Sequence, residues 1–350
     1  MTAVLKNGGA AFHRMDRDCA AVDSVVEEMK LASNREQLTA FKLIAQHVLT
    51  SDNEDNRQLL MHVSGVGGTG KSHLIKLIVM LFDKLDKQHH LLLGAPTGIA
   101  AVLIKGHTLH SLILSTPTRK SSDVSALVDV WRSVRYLIID EVSMVGARFL
   151  SLLSSWMRIA KGDDASSGNK PFGGVNVIFM GDFGQLKPPK QYALYLNELV
   201  QNQSFAESRN EKGISAMNGA FLWRQVDIII ELVKNQCHAE DVHYAEFLSR
   251  LRIGECVSKS STTLSDLEYI RSRLIDNLSK DQEILCSFSD APIIVGSKAL
   301  RDVLNVKLVH YHATRMNKKL AMYYAMDTVN RSPVGGVVRE ELWSIPSSVN

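Results

Sequence analysis

Gly65-Val66-Gly67-Gly68-Thr69-Gly70-Lys71-Ser72 fits G-x-x-x-x-G-K-[ST], the pattern of a phosphate-binding loop. Its surroundings fit as well. Leu59-Leu60-Met61-His62-Val63 before it reads as a buried strand. His73 to Lys84 after it carries Leu74, Ile75, Leu77, Ile78, Leu81 and Phe82 at helical spacing. The glycines let the backbone turn its N–H groups inward around a phosphate, along a path that side chains would obstruct. The start of the following helix adds free N–H groups and the positive end of its dipole. Gly65, Gly67, Gly68, Thr69 and Gly70 are therefore candidate nucleotide-binding residues. Lys71 is placed to reach the β- and γ-phosphates, and the Ser72 hydroxyl to ligate Mg²⁺.

Upstream, the pattern predicts a helix over Ala20 to Leu31, then a second one opened by Asn34. Asn34-Arg35-Glu36-Gln37 is a variant of the capping box, with Ala40, Phe41, Ile44, Ala45 and Val48 as the apolar stripe that follows. Gln37 has two readings. It completes the cap, or its amide pairs with the edge of a nucleobase through one donor and one acceptor.

Downstream, Leu91 to Ala95 is a second short buried strand, and Pro96-Thr97-Gly98 is turn chemistry at its end. Ligand sites of open α/β sheets lie at such strand ends. His107 and His110 are three apart but have no third ligand nearby, so they read as polar surface groups and not as a zinc site. Tyr136-Leu137-Ile138-Ile139 is a hydrophobic strand that runs into Asp140 and Glu141. Asp140 is the candidate Mg²⁺ ligand, and Glu141 the base that orients and deprotonates the attacking water. Asn176 to Met180 is a further strand, and Gly181-Asp182-Phe183-Gly184-Gln185 places Gln185 to sense a γ-phosphate. Val226 to Leu232 is the last strand. Five strands alternating with helices predict an α/β fold with a doubly wound parallel sheet.

Composition bounds the rest. The chain has 350 residues, 45% hydrophobic and 22% charged, with a net charge of +3. That charge allows a nucleic-acid partner without requiring one. Cys19, Cys237, Cys256 and Cys286 show no C-x-x-C spacing, so neither zinc nor a disulfide framework is indicated. No apolar run reaches the roughly 18 residues of a membrane span.

Taken together, residues 34–350 resemble the Pif-one-type 5′→3′ DNA helicases of superfamily 1, which are RecD-like and include the helicase portions of Helitron-like elements. The stretches that carry the resemblance are Asn34 to Gln37, the loop 65–72, Ala95 to Ala101 and Gly106 to Ser111. They continue with Ile139 to Met144, Pro171 to Gly174, Gly181 to Pro189, Phe247 to Gly254 and Pro292 to Val295. The run Gly181 to Pro188 together with Asp140 to Met144 is the most specific. The resemblance implies a RecA-like ATP-binding motor domain over 31–234, after an N-terminal extension 1–30. A second RecA-like domain would follow over 235–350, incomplete because the family's second domain continues beyond the point where Asn350 falls. It implies ATP and Mg²⁺ as cofactors and single-stranded or forked DNA as partner, for a monomer that contacts no membrane. It gives Gln37 the adenine, gives Thr97, His107 and His110 contacts to the DNA backbone, and makes Lys71, Glu141 and Gln185 the catalytic set.

One departure stands out. In our register Cys237 occupies the position of a family arginine that stabilises charge on the transferred phosphoryl group, which a thiol cannot do. Two functions are therefore expected. One is an ATP-dependent DNA helicase of repair, recombination or telomere and genome maintenance, nuclear or alternatively mitochondrial. The other is a degenerate, truncated relative that binds ATP, with or without DNA, and does not unwind.

Overall fold

Strands covered by helices on both faces are apolar along their length, as Leu91 to Ala95, Tyr136 to Ile139 and Val177 to Met180 are, while Val226 to Leu232 carries Asp227 and Glu231. The computed structural model describes residues 17–31, 34–50, 57–113, 125, 128–162, 170–201, 211–236, 241–256, 265–278, 288, 291–321, 328–329 and 332–333. Its strands β1 (Leu60–Gly65), β2 (Leu91–Ala95), β3 (His107–Thr108), β4 (Tyr136–Ile139), β5 (Asn176–Gly181) and β6 (Ile228–Leu232) form one sheet. The order is β3-β2-β4-β5-β1-β6, and every pairing is parallel. The sheet thus has a sixth strand beyond the five expected. β3 is two residues long, too short to leave a periodic signal in the sequence.

Alternate residues of each strand face opposite layers. On β4, Tyr136 and Ile138 join one core cluster, and Leu137 and Ile139 the other. On β5 the same split separates Ile178 and Met180 from Val177 and Phe179. The first layer holds helix α1 over the described residues 17–28, α2 (Arg35–Thr50) and α3 (Lys71–Lys84). The second holds α6 (Ala147–Lys161) and α8 (Glu211–Trp223). α4 (Gly98–Leu103) adds Ala100 and Ala101 to the first core cluster, and the short helix α5 at 128–131 and α7 (Glu198–Gln201) add Trp131 and Leu199 to the second. Each fully buried Leu, Ile or Phe contributes about 1.5–3 kcal/mol to holding these layers on the sheet.

Because all six strands run the same way, the residues that follow them lie along one edge. β5 sits between β4 and β1, so the segments after β1, β4 and β5 are neighbours there. This is the crevice where doubly wound sheets bind ligands.

The first compact unit extends to Asp266 and includes α9 (Val242–Ile253). Within it, Arg250 of α9 donates to both carboxylate oxygens of Asp266, at 3.0 and 2.7 Å. The second unit is Leu267–Asn350. It contains most of α10 (Asp266–Ser272), α11 (Ile275–Leu278) and α12 (Lys298–Arg315). It also contains the antiparallel pair β7 (Thr328–Val329) and β8 (Ser332–Pro333). α12 carries Lys298, Arg301, Lys307 and Arg315 at exposed positions. Among the described residues no helix is long and apolar enough to cross a membrane.

Candidate nucleotide-binding site

The carbonyls of the phosphate-binding loop are each tied down by a hydrogen bond. Lys71 Nζ donates to Gly65 O at 2.7 Å and Val66 O at 3.1 Å. Asn235 Nδ2 donates to Gly67 O at 3.4 Å, and the Gln236 amide to Gly68 O at 2.8 Å. Gln37 Nε2 donates to Thr69 O at 3.0 Å and Gly70 O at 3.3 Å. None of the described hydrogen bonds uses the amides of Gly68, Gly70 or Lys71. That leaves these N–H donors available to an anion, as in phosphate-binding loops. Gly70 is the N-cap of α3 at φ 90°, and a Cβ there would collide with the Gln37 amide.

Of the two readings of Gln37, the structure shows only the local part of the cap. Its backbone N–H donates to Asn34 Oδ1 at 3.1 Å, as an N-cap requires. Its side chain does not reach back to close a capping box, because it is committed to the loop 32 and 33 residues ahead. Sequence spacing shows only the local alternative. A long-range tie becomes visible once α2 is packed against α3 and β6.

A cleft of about 570 Å³ runs along the loop. Gln37, Gly67, Gly68, Gly70, Lys71, Ser72, Asp140, Glu141 and Gln185 line it, with Met29, Lys30, Leu31 and Gln236 as further walls. Gly65 and Thr69 lie behind this surface, Thr69 Oγ1 donating to Val66 O at 2.8 Å.

The charges at the inner end interact. Burial pulls Lys71 below its ordinary pKa and nearby Arg252 adds to that, while Glu141, Asp182 and Asp140 pull the other way. Burial pushes Asp140 up, against the Glu141 N–H and Lys71. Burial raises Glu141 too, and the neighbouring Asp140 raises it further. Glu141 also holds a left-handed backbone, φ 54° and ψ 46°, uncommon for a residue with a side chain. It directs the carboxylate from the end of β4 while Val142 and Ser143 turn back into the core.

Asp140 suits a Mg²⁺ ion, and Ser72 lines the same cleft. Asp140 is 6% exposed, yet the one hydrogen bond described to its carboxylate comes from Glu141 N at 3.0 Å. A buried carboxylate raised in pKa and this short of partners gains from a nearby cation. Among the described residues no group of three or more His, Cys, Asp or Glu could hold a metal.

The DNA candidates lie outside the cleft. Thr97 is the N-cap of α4, its Oγ1 accepting from Ala100 N at 3.3 Å. His107 is exposed on the edge strand β3. His110 is exposed with its ring 4.5 Å from that of Phe149. Cys237 lies outside the described residues.

Sequence reasoning missed three contributors, Asn235, Gln236 and Arg252. Arg252 of α9 forms a two-pronged ion pair with buried Asp182, Nη1 lying 2.7 Å from Oδ2 and Nη2 bonding to Oδ1. Burial alone would raise Asp182, but Arg252, the Gly184 N–H and Lys71 outweigh it and hold the carboxyl below the usual range. No local pattern joins positions 182 and 252.

Comparison with known proteins agrees with this geometry. A family model described as PIF1-like helicase matches residues 32–262, well over half of the chain. The ATP-dependent DNA helicase PIF1 of Emericella nidulans is 32% identical over 243 residues, 67% of this chain and 29% of that protein. The ATP-dependent DNA helicase RRM3 of Saccharomyces cerevisiae is 32% identical over 174 residues, 45% of this chain and 23% of that protein. The crystal structure of Pif1 helicase from Candida albicans matches with 27% identity and a TM-score of 0.45, over 62% of this chain and 43% of that one. The chain therefore spans a minor part of the curated relatives it matches. With the phosphate loop, the two acids after β4 and the Gln185 turn meeting in one cleft, the chain belongs to the PIF1-like helicase family.

Proposed function

We propose that this chain carries the ATP-hydrolysing machinery of a 5′→3′ DNA helicase. It would couple hydrolysis to translocation on single-stranded or forked DNA, in repair, recombination or telomere and genome maintenance. The nucleus is the proposed compartment, the mitochondrion the second. Residues 31–234 are proposed as the motor domain, working as a monomer. The observation that carries this reading is the single cleft lined by Lys71, Ser72, Asp140, Glu141 and Gln185.

In this reading Lys71 leaves the carbonyls of Gly65 and Val66 and binds the β- and γ-phosphate oxygens. Gln37, whose amide nitrogen is held by the loop, offers its oxygen to the exocyclic amine of adenine. Ser72 and Asp140 would hold Mg²⁺, which supplies charge neutralisation on the phosphates. Glu141 orients the attacking water and takes its proton, while the bond from the γ-phosphorus to the bridging oxygen breaks and ADP leaves. Gln185 senses the γ-phosphate, and Thr97, His107 and His110 face the DNA backbone.

The test is binding of a fluorescent ATP analogue with and without Mg²⁺. Lys71→Ala should abolish binding, and removal of Mg²⁺ by a chelator should weaken it. Unchanged affinity in Lys71→Ala would falsify the nucleotide assignment. ATP turnover with and without single-stranded DNA separates the helicase from the second reading, favoured by Cys237, of a protein that binds ATP without unwinding. Binding without DNA-stimulated turnover would leave only that second reading.

A further inference from the structure

We propose that Arg252 is a positioning residue for ATP turnover. It fixes the turn Asp182–Gln185 and so makes the placement of α9 felt in the nucleotide cleft. This rests on the reading that the cleft hydrolyses ATP.

Gln185 reaches the cleft from a turn built on the Asp182 carboxylate. The Gly184 amide donates to Asp182 Oδ1 at 2.9 Å, and the Gln185 amide to Asp182 O at 2.9 Å. On its other side Phe183 is lodged among aromatic rings, 5.3 Å from His62 and 5.1 Å from Trp223. Such a turn keeps its shape only while the carboxylate keeps its orientation. Arg252 supplies that constraint by gripping both oxygens at once, and a planar fork fixes a carboxylate in a way that a single ammonium cannot.

Two further features point the same way. The guanidinium lies against Gly184 so closely that a Cβ on this residue would run into it. The turn is therefore shaped to admit an arginine from outside the sheet. The C-terminal end of α9 is itself held, with Gly254 in the left-handed conformation and Arg250 pinned to Asp266. Arg252 is thus a short link between a fixed helix end and the residue beside Gln185. A plain surface ion pair would be mobile, contribute little, and bond no turn. Here the carboxylate is buried, at 3% side-chain exposure, and its second function is to hold the Gly184 amide.

The experiment uses the full chain with Arg252→Gln, Arg252→Lys and Gly184→Ala. Three quantities are read: affinity for a fluorescent ATP analogue, kcat and KM of DNA-stimulated hydrolysis, and amide hydrogen exchange over residues 182–187. Arg252→Gln should bind the analogue within about threefold of the parent, while kcat falls roughly tenfold or more, since misplacement of a group aimed at the reacting centre acts on turnover. Exchange over 182–187 should quicken, Arg252→Lys should recover kcat only in part, and Gly184→Ala should reproduce the loss. Unchanged kcat and exchange in Arg252→Gln would overturn the proposal. So would a loss of binding, kcat and melting temperature together that Arg252→Lys fully restores, because that is a purely structural ion pair. If the parent chain binds nucleotide but hydrolyses none, the proposed activity fails by itself. Exchange then decides: protection of 182–187 by the analogue, lost in Arg252→Gln, supports the positioning function, and equal protection in both chains overturns it.

Discussion

His62 shows how much a single residue can carry. It is buried on β1 against Phe183 and Trp223, and its Nε2 has no hydrogen-bond partner among the described residues. Burial, with Lys71 close by, lowers its pKa to about 4. Above pH 6.5 the imidazole is neutral in both folded and unfolded chains, so it adds no pH dependence there. As the pH falls from 6.5 towards 4 the unfolded chain takes up a proton that the folded one refuses, and stability is lost. The gap is worth up to about 3 kcal/mol. His62→Leu should remove that acid slope, measured as urea midpoints at pH 8 and pH 5. Equal losses in parent and variant over this range would show that His62 does not titrate as described. The residue scale is also where sequence and structure part most clearly. Lys71, Asp140 and Glu141 were legible because each is fixed by a strand end and a short motif. The side-chain tie of Gln37 and the Arg252–Asp182 pair were not, because both join residues far apart in the chain.

Among elements, legibility followed length and periodicity. β2 was placed residue for residue, and β1, β4, β5 and β6 to within two residues or so at either end, since apolar runs between turn signals are readable. β3 has no such signal and exists because it adds to the edge of β2. Helix α4 offers a test of what Thr97 does. Its hydroxyl accepts from Ala100 N, so Thr97→Ala should lower thermal stability by about 1 kcal/mol, while Thr97→Ser should cost almost nothing. A residue that serves only a DNA backbone would give the opposite result, with Ala leaving the melting temperature alone and changing DNA affinity only.

On the scale of the whole molecule, the nucleotide site depends on chain beyond the sheet. A chain ending at residue 234 lacks the Asn235 and Gln236 bonds to Gly67 and Gly68, and it leaves Asp182 buried without Arg252. Breaking a buried pair costs about 3–5 kcal/mol, and the half-exposed guanidinium places this case near the low end. A chain ending at Asp266 should therefore keep full nucleotide affinity, and one ending at 234 should unfold at clearly lower urea. Equal midpoints for the two would show that this outer segment is dispensable. If the chain hydrolyses ATP as proposed, the lysine of the phosphate loop carries a consequence for the turnover cycle. Lys71 has two backbone oxygens to return to whenever no phosphate is there to accept its protons. Departure of product then strands no bare ammonium in a low-dielectric crevice. Part of the attraction for a phosphate is cancelled beforehand, and this lowers the equilibrium affinity for triphosphate and diphosphate alike. Such a site gives up some affinity and in return resists being clogged by its own product.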